Sequence, residues 1–248
     1  GFNGILTLPN SLTEIGEYAF AECQKLTGSL IIPNSVNNIG KSAFMSCCRF
    51  NGHLSISNNI STIESELFFL CSGFTGSLVI PDSVTIISTQ AFCGCKGFNG
   101  NLTIPDSVIT LKNAFESCSG FKGSLKIPNE IFVIETNTFS GCYGFDGSLT
   151  LPSSLGIIES HAFESCYGFT GSLIIPDSVK NIRSCAFYNC FGFNGTLHLP
   201  NINTIDNSVF YNCSKLSGKL ILPTELNSIE EYAFHNCYGF NESLVIPD

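Results

Sequence analysis

A chain of 248 residues that is 44% hydrophobic and only 12% charged holds enough apolar side chains to bury an extended core. Its formal net charge of −9 argues against nucleic acid as a partner, because nucleic-acid binding needs clustered Lys and Arg. No apolar run reaches the length of about 18 residues that a transmembrane helix needs, and no basic segment opens the sequence, so we predict neither membrane insertion nor a signal peptide.

One short motif, Ala-Phe-x-x-Cys or a close variant, recurs ten times along the chain at an almost constant interval. The interval is 24 residues except for two steps of 23. The cysteines of the motif are Cys23, Cys47, Cys71, Cys95, Cys118, Cys142, Cys166, Cys190, Cys213 and Cys237. A constant period in this range is typical of stacked, near-identical supersecondary units, so the sequence predicts a solenoid of about ten units.

Within each unit the predicted elements follow one another in a constant order. A glycine such as Gly28 precedes a short strand, where it suits a corner that needs positive φ or close backbone approach. In that strand Leu30 and Ile32 are predicted to point inward and Ile31 outward. Pro33 then ends the pairing, because proline has no amide hydrogen. The following segment, V-x-x-I-x-x-x-A-F, has apolar residues three and four apart, which suits either one turn of helix or an irregular returning arm.

Two columns of the repeat are predicted to form buried ladders. The first is the phenylalanine three residues before each motif cysteine, from Phe20 to Phe234, whose rings would lie about 4.8 Å apart and stack. The second is the cysteine itself, which we predict to be a structural thiol ladder rather than disulfides or a zinc site, because free Cys is among the most buried residue types. Cys48, Cys93 and Cys185 lie off this column and are predicted to be the more exposed or reactive thiols.

The sequence predicts no catalytic or metal centre and no cofactor. His53, His161, His198 and His235 occupy four different columns, so they assemble no Ser-His-Asp or Cys-His-Asn set. Carboxylates recur in two columns, one of them after the proline as in Asp82, and stacked carboxylates could bind calcium. Neighbouring units rarely both carry the acid, however, which favours a solvated polar face.

The stretch I-P-x-S-V-x-x-I-x-x-x-A-F-x-x-C, as in Ile80-Pro81-Asp82-Ser83-Val84 followed by Ile87, Ala91, Phe92 and Cys95, resembles the BspA-like class of leucine-rich repeats. The resemblance covers essentially the whole chain. It implies an α/β-type solenoid, a right-handed leucine-rich-repeat array with one parallel sheet of short strands, forming a single domain over residues 1–248. Since the sequence begins and stops in phase without a polar capping unit, we interpret it as a fragment of a longer array.

Proteins of that class resemble one another in being exposed at the cell surface or secreted, and some are adhesins for extracellular-matrix proteins or other cells. The resemblance therefore implies a cell-surface or secreted protein with a role in recognition or adhesion. Because binding surfaces on solenoids vary freely, the resemblance implies this function only by analogy.

The middle position of each strand forms an outward row, and this row is the candidate binding site. It consists of Thr7, Ile31, Ser55, Val79, Thr103, Lys126, Thr150, Ile174, His198, Ile221 and Val245, with candidate binding residues Ile31, Val79, Thr103, Lys126, Thr150, Ile174, His198 and Ile221. β-branched residues there suit either strand propensity or a contact surface, and the sequence leaves both open. If the row is a contact surface, the predicted partner is an extracellular-matrix or cell-surface protein, or a glycan. The rival function is a structural spacer that projects other domains, and the uncapped ends would also allow end-to-end self-association.

Overall fold

The computed structural model describes residues 2–242 and residue 244, so Val245 of the outward row lies outside the described residues. The chain divides into two compact units, Gly1–Lys122 (unit 1) and Gly123–Asp248 (unit 2). Each unit is a solenoid of parallel strands, and the two units contain about nine turns in all. The single domain over residues 1–248 and the right-handed coil stay predictions.

Most turns contain two short strands. The face strands, which carry the outward row, are Leu30–Ile31, Leu54–Ser55, Leu78–Val79 and Leu102–Thr103 in unit 1, and Leu125–Lys126, Leu149–Thr150, Leu173–Ile174 and Leu197–His198 in unit 2. The arm strands, at the start of the returning arm, are Glu14–Ile15, Asn38–Ile39, Thr62–Ile63, Ile86–Ile87 and Thr110–Leu111 in unit 1, and Val133–Ile134, Ile157–Ile158, Asn181–Ile182, Thr204–Ile205 and Ser228–Ile229 in unit 2. Gly4–Ile5 additionally pairs with Leu26–Thr27.

All of these pairings are parallel, as predicted for the face strands. The prediction of one sheet is wrong, because the arm strands pair along the stack as well, for example Thr62–Ile63 with Ile86–Ile87. A returning arm that runs extended at this point directs its amide and carbonyl groups toward the neighbouring turn, where they are satisfied. The two strand lines enclose the buried side chains between them.

The returning arm is irregular, the second of the two predicted alternatives. No helix occurs among the described residues, so the α/β label is not confirmed. The arm instead has left-handed residues two before and two after the motif phenylalanine, such as Tyr18 (φ 55°) and Glu22 (φ 57°) around Phe20. The amides of these three residues donate to carbonyls of the next turn at 2.7–3.1 Å, because the left-handed residues direct them along the stack instead of into a helix.

The predicted phenylalanine ladder is confirmed within each unit. In unit 1 the centroids of Phe20, Phe44, Phe68, Phe92 and Phe115 follow one another at 5.2, 5.8, 5.4 and 5.4 Å. In unit 2 those of Phe139, Phe163, Phe187, Phe210 and Phe234 follow at 5.5, 5.3, 5.8 and 5.4 Å. A second buried ladder, formed by Phe50, Phe74, Phe98 and Phe121 and by Phe145, Phe169 and Phe193, runs beside the first. Stacked rings in two ladders thus fill much of the core of each unit.

The motif cysteines are free thiols, and they are buried except for the half-buried Cys23 and Cys237. The thiols of the motif cysteines share one contact: the sulfur donates to the carbonyl of the motif phenylalanine in the preceding turn. Cys71 Sγ lies 3.0 Å from the carbonyl oxygen of Phe44, and Cys190 Sγ lies 3.0 Å from that of Phe163. The thiol ladder is therefore a hydrogen-bonded ladder that joins consecutive turns.

Candidate functional site

All eight candidate binding residues of the outward row are exposed, as predicted. In each face strand a buried leucine precedes the row residue, so the strand packs its leucine into the core and presents its neighbour to solvent. The aliphatic members are exposed to 64% (Ile31), 59% (Val79), 51% (Ile174) and 56% (Ile221). Strand pairing places Val79 beside Thr103, Lys126 beside Thr150, and Ile174 beside His198.

From Thr7 to Ile221 the chemistry of the outward row alternates from one turn to the next, whereas Val245, the last member of the row in the sequence, is aliphatic like Ile221 before it. In one set of turns, here called A-turns, the row residue is Ile31, Val79, Lys126, Ile174 or Ile221; in the other set, the B-turns, it is Thr7, Ser55, Thr103, Thr150 or His198. The A-turns thus present aliphatic chains, including the stem of Lys126, and the B-turns present polar groups. Aliphatic row residues and polar row residues each recur every second turn.

The backbone alternates with the same phase at the corner before the face strand. The A-turn glycines Gly28, Gly76, Gly123, Gly171 and Gly218 have φ between 74° and 82°. The B-turn glycines Gly52, Gly100, Gly147 and Gly195 lie so close to the preceding turn that a Cβ would meet a serine Oγ at 2.3–2.4 Å. Both predicted reasons for glycine therefore apply, each in its own set of turns, although the B-turn residue Gly4 also has positive φ (91°).

Hydrogen bonds join the first four A-turns to the B-turns that follow them. The Oδ1 atoms of Asn51 and Asn99 accept from the amides of Gly28 and Gly76 at 2.8 Å, and Asp146 and Asn194 do the same in unit 2. The A-turn serines Ser29, Ser77, Ser124 and Ser172 accept from the B-turn amide two residues before the row, at 3.0–3.1 Å. Among the described residues, the face strands are paired only as A-turn with following B-turn. The structural repeat of the face is therefore two turns long.

Acidic side chains border the row on the side where the strands end. Asp177, directly after Pro176, places Oδ1 2.9 Å from Nε2 of His198 in the next turn. The corresponding position in unit 1 holds Asp82 and Asp106, both exposed. Because the His198–Asp177 pair is itself largely exposed, its contribution to stability is small. The contact shows that an aspartate in this column reaches the outward row.

Sequence reasoning missed two stacks of partly exposed aromatic rings in unit 2. Tyr143, Tyr167 and Phe191 stack with centroids 5.0 Å apart and planes within 3°. Tyr188 and Tyr211 stack at 4.6 Å, and His235 continues the stack at 4.8 Å. The signal was present in the sequence, since the first stack is formed by the residues that directly follow the motif cysteine and the second by the residues that directly follow the motif phenylalanine. Because each inner ring has both faces covered by its neighbours, these stacks offer mainly ring edges to a ligand.

Two grooves lie in unit 2 near the turn whose sequence repeat is one residue shorter, directly after Pro200. One, of ≈ 460 Å³, includes the row residues His198 and Ile221 in its lining. The other, of ≈ 380 Å³, lies beside the arm strands and is polar, with Arg183 and Asp206 in its lining. Burial raises the pKa of Asp206, and the nearby Arg183 partly opposes this shift. The first groove extends the outward row with a concave surface, and the second brings opposite charges together.

The thiols off the motif column do not behave as one group. Cys48 and Cys185 are half-buried, but Cys93 is buried, so its predicted exposure is wrong. Burial raises the pKa of Cys93 to about 11 and also raises the pKa of Cys185. Both shifts disfavour the reactive thiolate. Among residues 2–242 and 244, no group of three or more His, Cys, Asp or Glu side chains is arranged to hold a metal ion, and no helix there is long and apolar enough to cross a membrane.

Three comparisons relate the chain to known proteins. Residues 4–122, 72–190 and 147–248 match the family described as BspA type leucine rich repeat region, in six copies. A leucine-rich repeat protein from Bacteroides ovatus is 26% identical with a TM-score of 0.79; the alignment covers 92% of this chain and 57% of that protein. A leucine rich cell surface protein from Faecalibacterium prausnitzii is 24% identical with a TM-score of 0.50, covering 99% and 82% of the two chains, and shows the fold alone. No curated protein is significantly similar.

Proposed function

The chain belongs to the BspA-type leucine-rich-repeat family, and we propose that it is a non-catalytic recognition module that binds a protein partner through its outward row. One observation carries the proposal: at the row position Ile31, Val79, Ile174 and Ile221 are exposed to solvent at 51–64%. Aliphatic side chains aligned on an exposed sheet are typical of a contact surface.

Strand propensity does not account for the pattern by itself. Threonine, valine and isoleucine all favour strands, so propensity alone predicts no difference between A-turns and B-turns. The alternation of aliphatic and polar row residues, in phase with the glycine conformation, calls for a second cause. A partner that contacts both the aliphatic and the polar row residues would be such a cause, because selection for binding would then maintain both.

A location at the cell surface or in secretions fits this role. It is supported by the family to which the chain belongs. The proposed partner is an extracellular-matrix or cell-surface protein, with a glycan as the alternative ligand. The buried columns continue without local interruption by a polar cluster, which favours binding over catalysis.

A structural spacer is the rival function, because the phenylalanine and thiol ladders join the turns without help from the row. The two functions differ in which residues matter. A binder depends on the exposed row, whereas a spacer depends only on the buried columns.

The deciding experiment is a binding screen against extracellular-matrix and cell-surface proteins. It compares the unchanged chain with a variant in which Ile31, Val79, Ile174 and Ile221 are replaced by Asp. Ile109→Asp is the matched control, since Ile109 is 54% exposed but lies beside the arm strands. We expect the four changes to abolish binding while the control retains it, with unaltered circular dichroism in both. Binding that survives the four changes removes the row as the site, and absence of any partner favours the spacer.

A further inference from the structure

The turn of unit 2 that is one residue shorter departs from its neighbours directly after Pro200. In the preceding turn the amide of Val179 donates to the carbonyl of Pro176 at 3.0 Å, and the corresponding bond closes the following turn at 3.3 Å. Among the described residues no backbone amide donates to the carbonyl of Pro200, because the shorter segment does not form the same turn. The polar groove of ≈ 380 Å³ has residues 201–204 in its lining, so the missing residue leaves a groove at this position of the stack.

The missing residue also removes a hydroxyl group from this place. In the preceding turn the hydroxyl of Ser178, two residues after the proline, donates to the carbonyl of Leu155 at 2.7 Å. Ser107 makes the corresponding bond in unit 1, at 2.8 Å. The shorter turn has no serine at this point, and among the described residues no side chain donates to the corresponding carbonyl, that of Val179. Val179 directly precedes the groove residue Lys180, so a hydroxyl group of a ligand in the groove would supply the missing donor.

The groove lining offers donors and acceptors without a net charge. Its charged and amide side chains include those of Lys180, Arg183, Asp206, Glu225, Asn201 and Asn203. The two cationic and two anionic groups balance, so the lining selects neither an anionic nor a cationic ligand. Charged residues are depleted at the core of protein–protein interfaces, which argues against a folded protein as the occupant. Each hydroxyl group of a sugar both donates and accepts, so a neutral sugar matches amides, cations and carboxylates together.

An aromatic platform lies beside the arm strands of unit 2. A Cβ at Gly156 would lie 2.3, 2.5 and 2.8 Å from Cζ, Cε2 and Cε1 of Phe132. Three ring carbons at such similar distances place the glycine under the face of the ring rather than at its edge. Phe132 is nevertheless 61% exposed, so its second face is open to solvent. Tyr167, by contrast, is covered on both faces by Tyr143 and Phe191.

Backbone hydrogen bonds connect the platform to the groove. The amide of Gly156 donates to the carbonyl of Phe132 at 2.8 Å, and the amide of Lys180 donates to the carbonyl of Gly156 at 2.8 Å. These three residues occupy one position of three consecutive turns, and Asn203 of the groove occupies the same position of the fourth. The platform and the groove are therefore neighbouring parts of one surface. Such a surface suits a sugar chain, because the C–H groups on the face of a sugar ring pack on aromatic rings while its hydroxyl groups form hydrogen bonds.

We propose that this surface of unit 2, the groove at the shorter turn together with the Phe132 platform, binds a neutral oligosaccharide. One sugar residue lies in the groove with its hydroxyl groups on Asn203, Arg183 and Asp206, and another sugar residue of the same chain stacks on Phe132. The groove volume of ≈ 380 Å³ is within the range of small-molecule sites, about 300–1,000 Å³. The site is separate from the outward row, so the inference goes beyond the proposed function.

The test uses the complete 248-residue chain and the neutral tetrasaccharides cellotetraose, maltotetraose, mannotetraose and chitotetraose. Isothermal titration calorimetry measures their affinities for the unchanged chain and for three variants. Phe132→Thr removes the platform and introduces the residue type that Thr85 supplies at the same position of another turn. Ile174→Thr, at an exposed position of the outward row in unit 2, is the matched control.

The third variant fills the groove instead of truncating its lining. A serine inserted between Asn201 and Ile202 restores the Pro-Asn-Ser sequence that residues 33–35 have in a turn of full length. Because this insertion restores the common form of the repeat, the variant should fold, and circular dichroism checks this for all three variants.

We expect at least one tetrasaccharide to bind the unchanged chain and Ile174→Thr equally, with a Kd of about 1 mM or lower. Phe132→Thr should weaken this binding about three- to tenfold, and the serine insertion should abolish saturable binding. Absence of binding by all of these sugars, or unchanged affinity in either of those two variants, overturns the inference. Preference for a sulfated heparin tetrasaccharide over every neutral sugar also overturns it, because the groove would then select anions. Each of these failures leaves the proposed function standing, since the outward row is tested separately by the protein-binding screen.

Discussion

Truncation of one ring in the phenylalanine ladder should cost far more inside unit 2 than at its last turn. Phe163 is fully buried and stacks on Phe139 at 5.5 Å and on Phe187 at 5.3 Å. Phe163→Ala removes a buried ring and both stacking contacts, so we expect a loss of about 4 kcal/mol in the free energy of unfolding. Phe234 is half-buried, stacks on Phe210 at 5.4 Å and has only an edge contact with Phe240, at 6.5 Å, among the other described rings. Phe234→Ala should therefore cost about 2 kcal/mol.

Equilibrium urea denaturation followed by circular dichroism measures both losses. Phe163→Leu is the control, because it keeps most of the buried volume and should cost clearly less than the alanine change. Hydrogen exchange then locates the loss, which we expect to be greatest in the turns that contact residue 163. Equal losses for Phe163→Ala and Phe234→Ala would refute the argument that burial and two-sided stacking set the stability of the ladder.

Three further outcomes follow from the thiols and the glycines. Burial raises the pKa of Cys166 well above its ordinary value of 9.0, so above about pH 9 this thiol ionises in the unfolded chain but stays protonated in the folded chain. The free energy of unfolding should therefore fall as the pH rises above about 9, and it should fall less steeply in Cys166→Ser. Urea denaturation at several pH values measures both slopes. In the native state a thiol reagent should label Cys48 before Cys166, and equal rates would contradict the burial. Gly171→Ala should cost about 1 kcal/mol, because φ is 82° but the space is open. Gly195→Ala should cost roughly 2–4 kcal/mol, because its Cβ would lie 2.7 Å from the backbone nitrogen of Ser172, and similar losses would refute the alternation.

The period, the buried columns and the exposed row could all be predicted from the sequence. A side chain that recurs at one position of every repeat must occupy the same environment in every turn. Because the motif phenylalanine is apolar and recurs in this way, its burial can be predicted from the sequence. Tolerance of polar, charged and aliphatic residues at the row position, from Thr103 to Lys126 to Ile174, likewise indicates solvent. The family followed from the same columns.

The conformation of the returning arm and the alternating geometry of the corner glycines were decided by tertiary structure. Left-handed residues such as Tyr18 and Ser42 have no common residue type, because hydrogen bonds to the next turn hold them there. Gly28 and Gly52 occupy the same position of the repeat, yet Gly28 has positive φ whereas Gly52 lies close to Ser29 of the preceding turn. What separates them is the partner in the adjacent turn: Asn51 accepts from the amide of Gly28, and this bond forms only when two turns are stacked. Contacts between turns, which a single unit does not contain, therefore determined the backbone geometry of the two-turn repeat, whereas the alternation of aliphatic and polar row residues is present in the sequence.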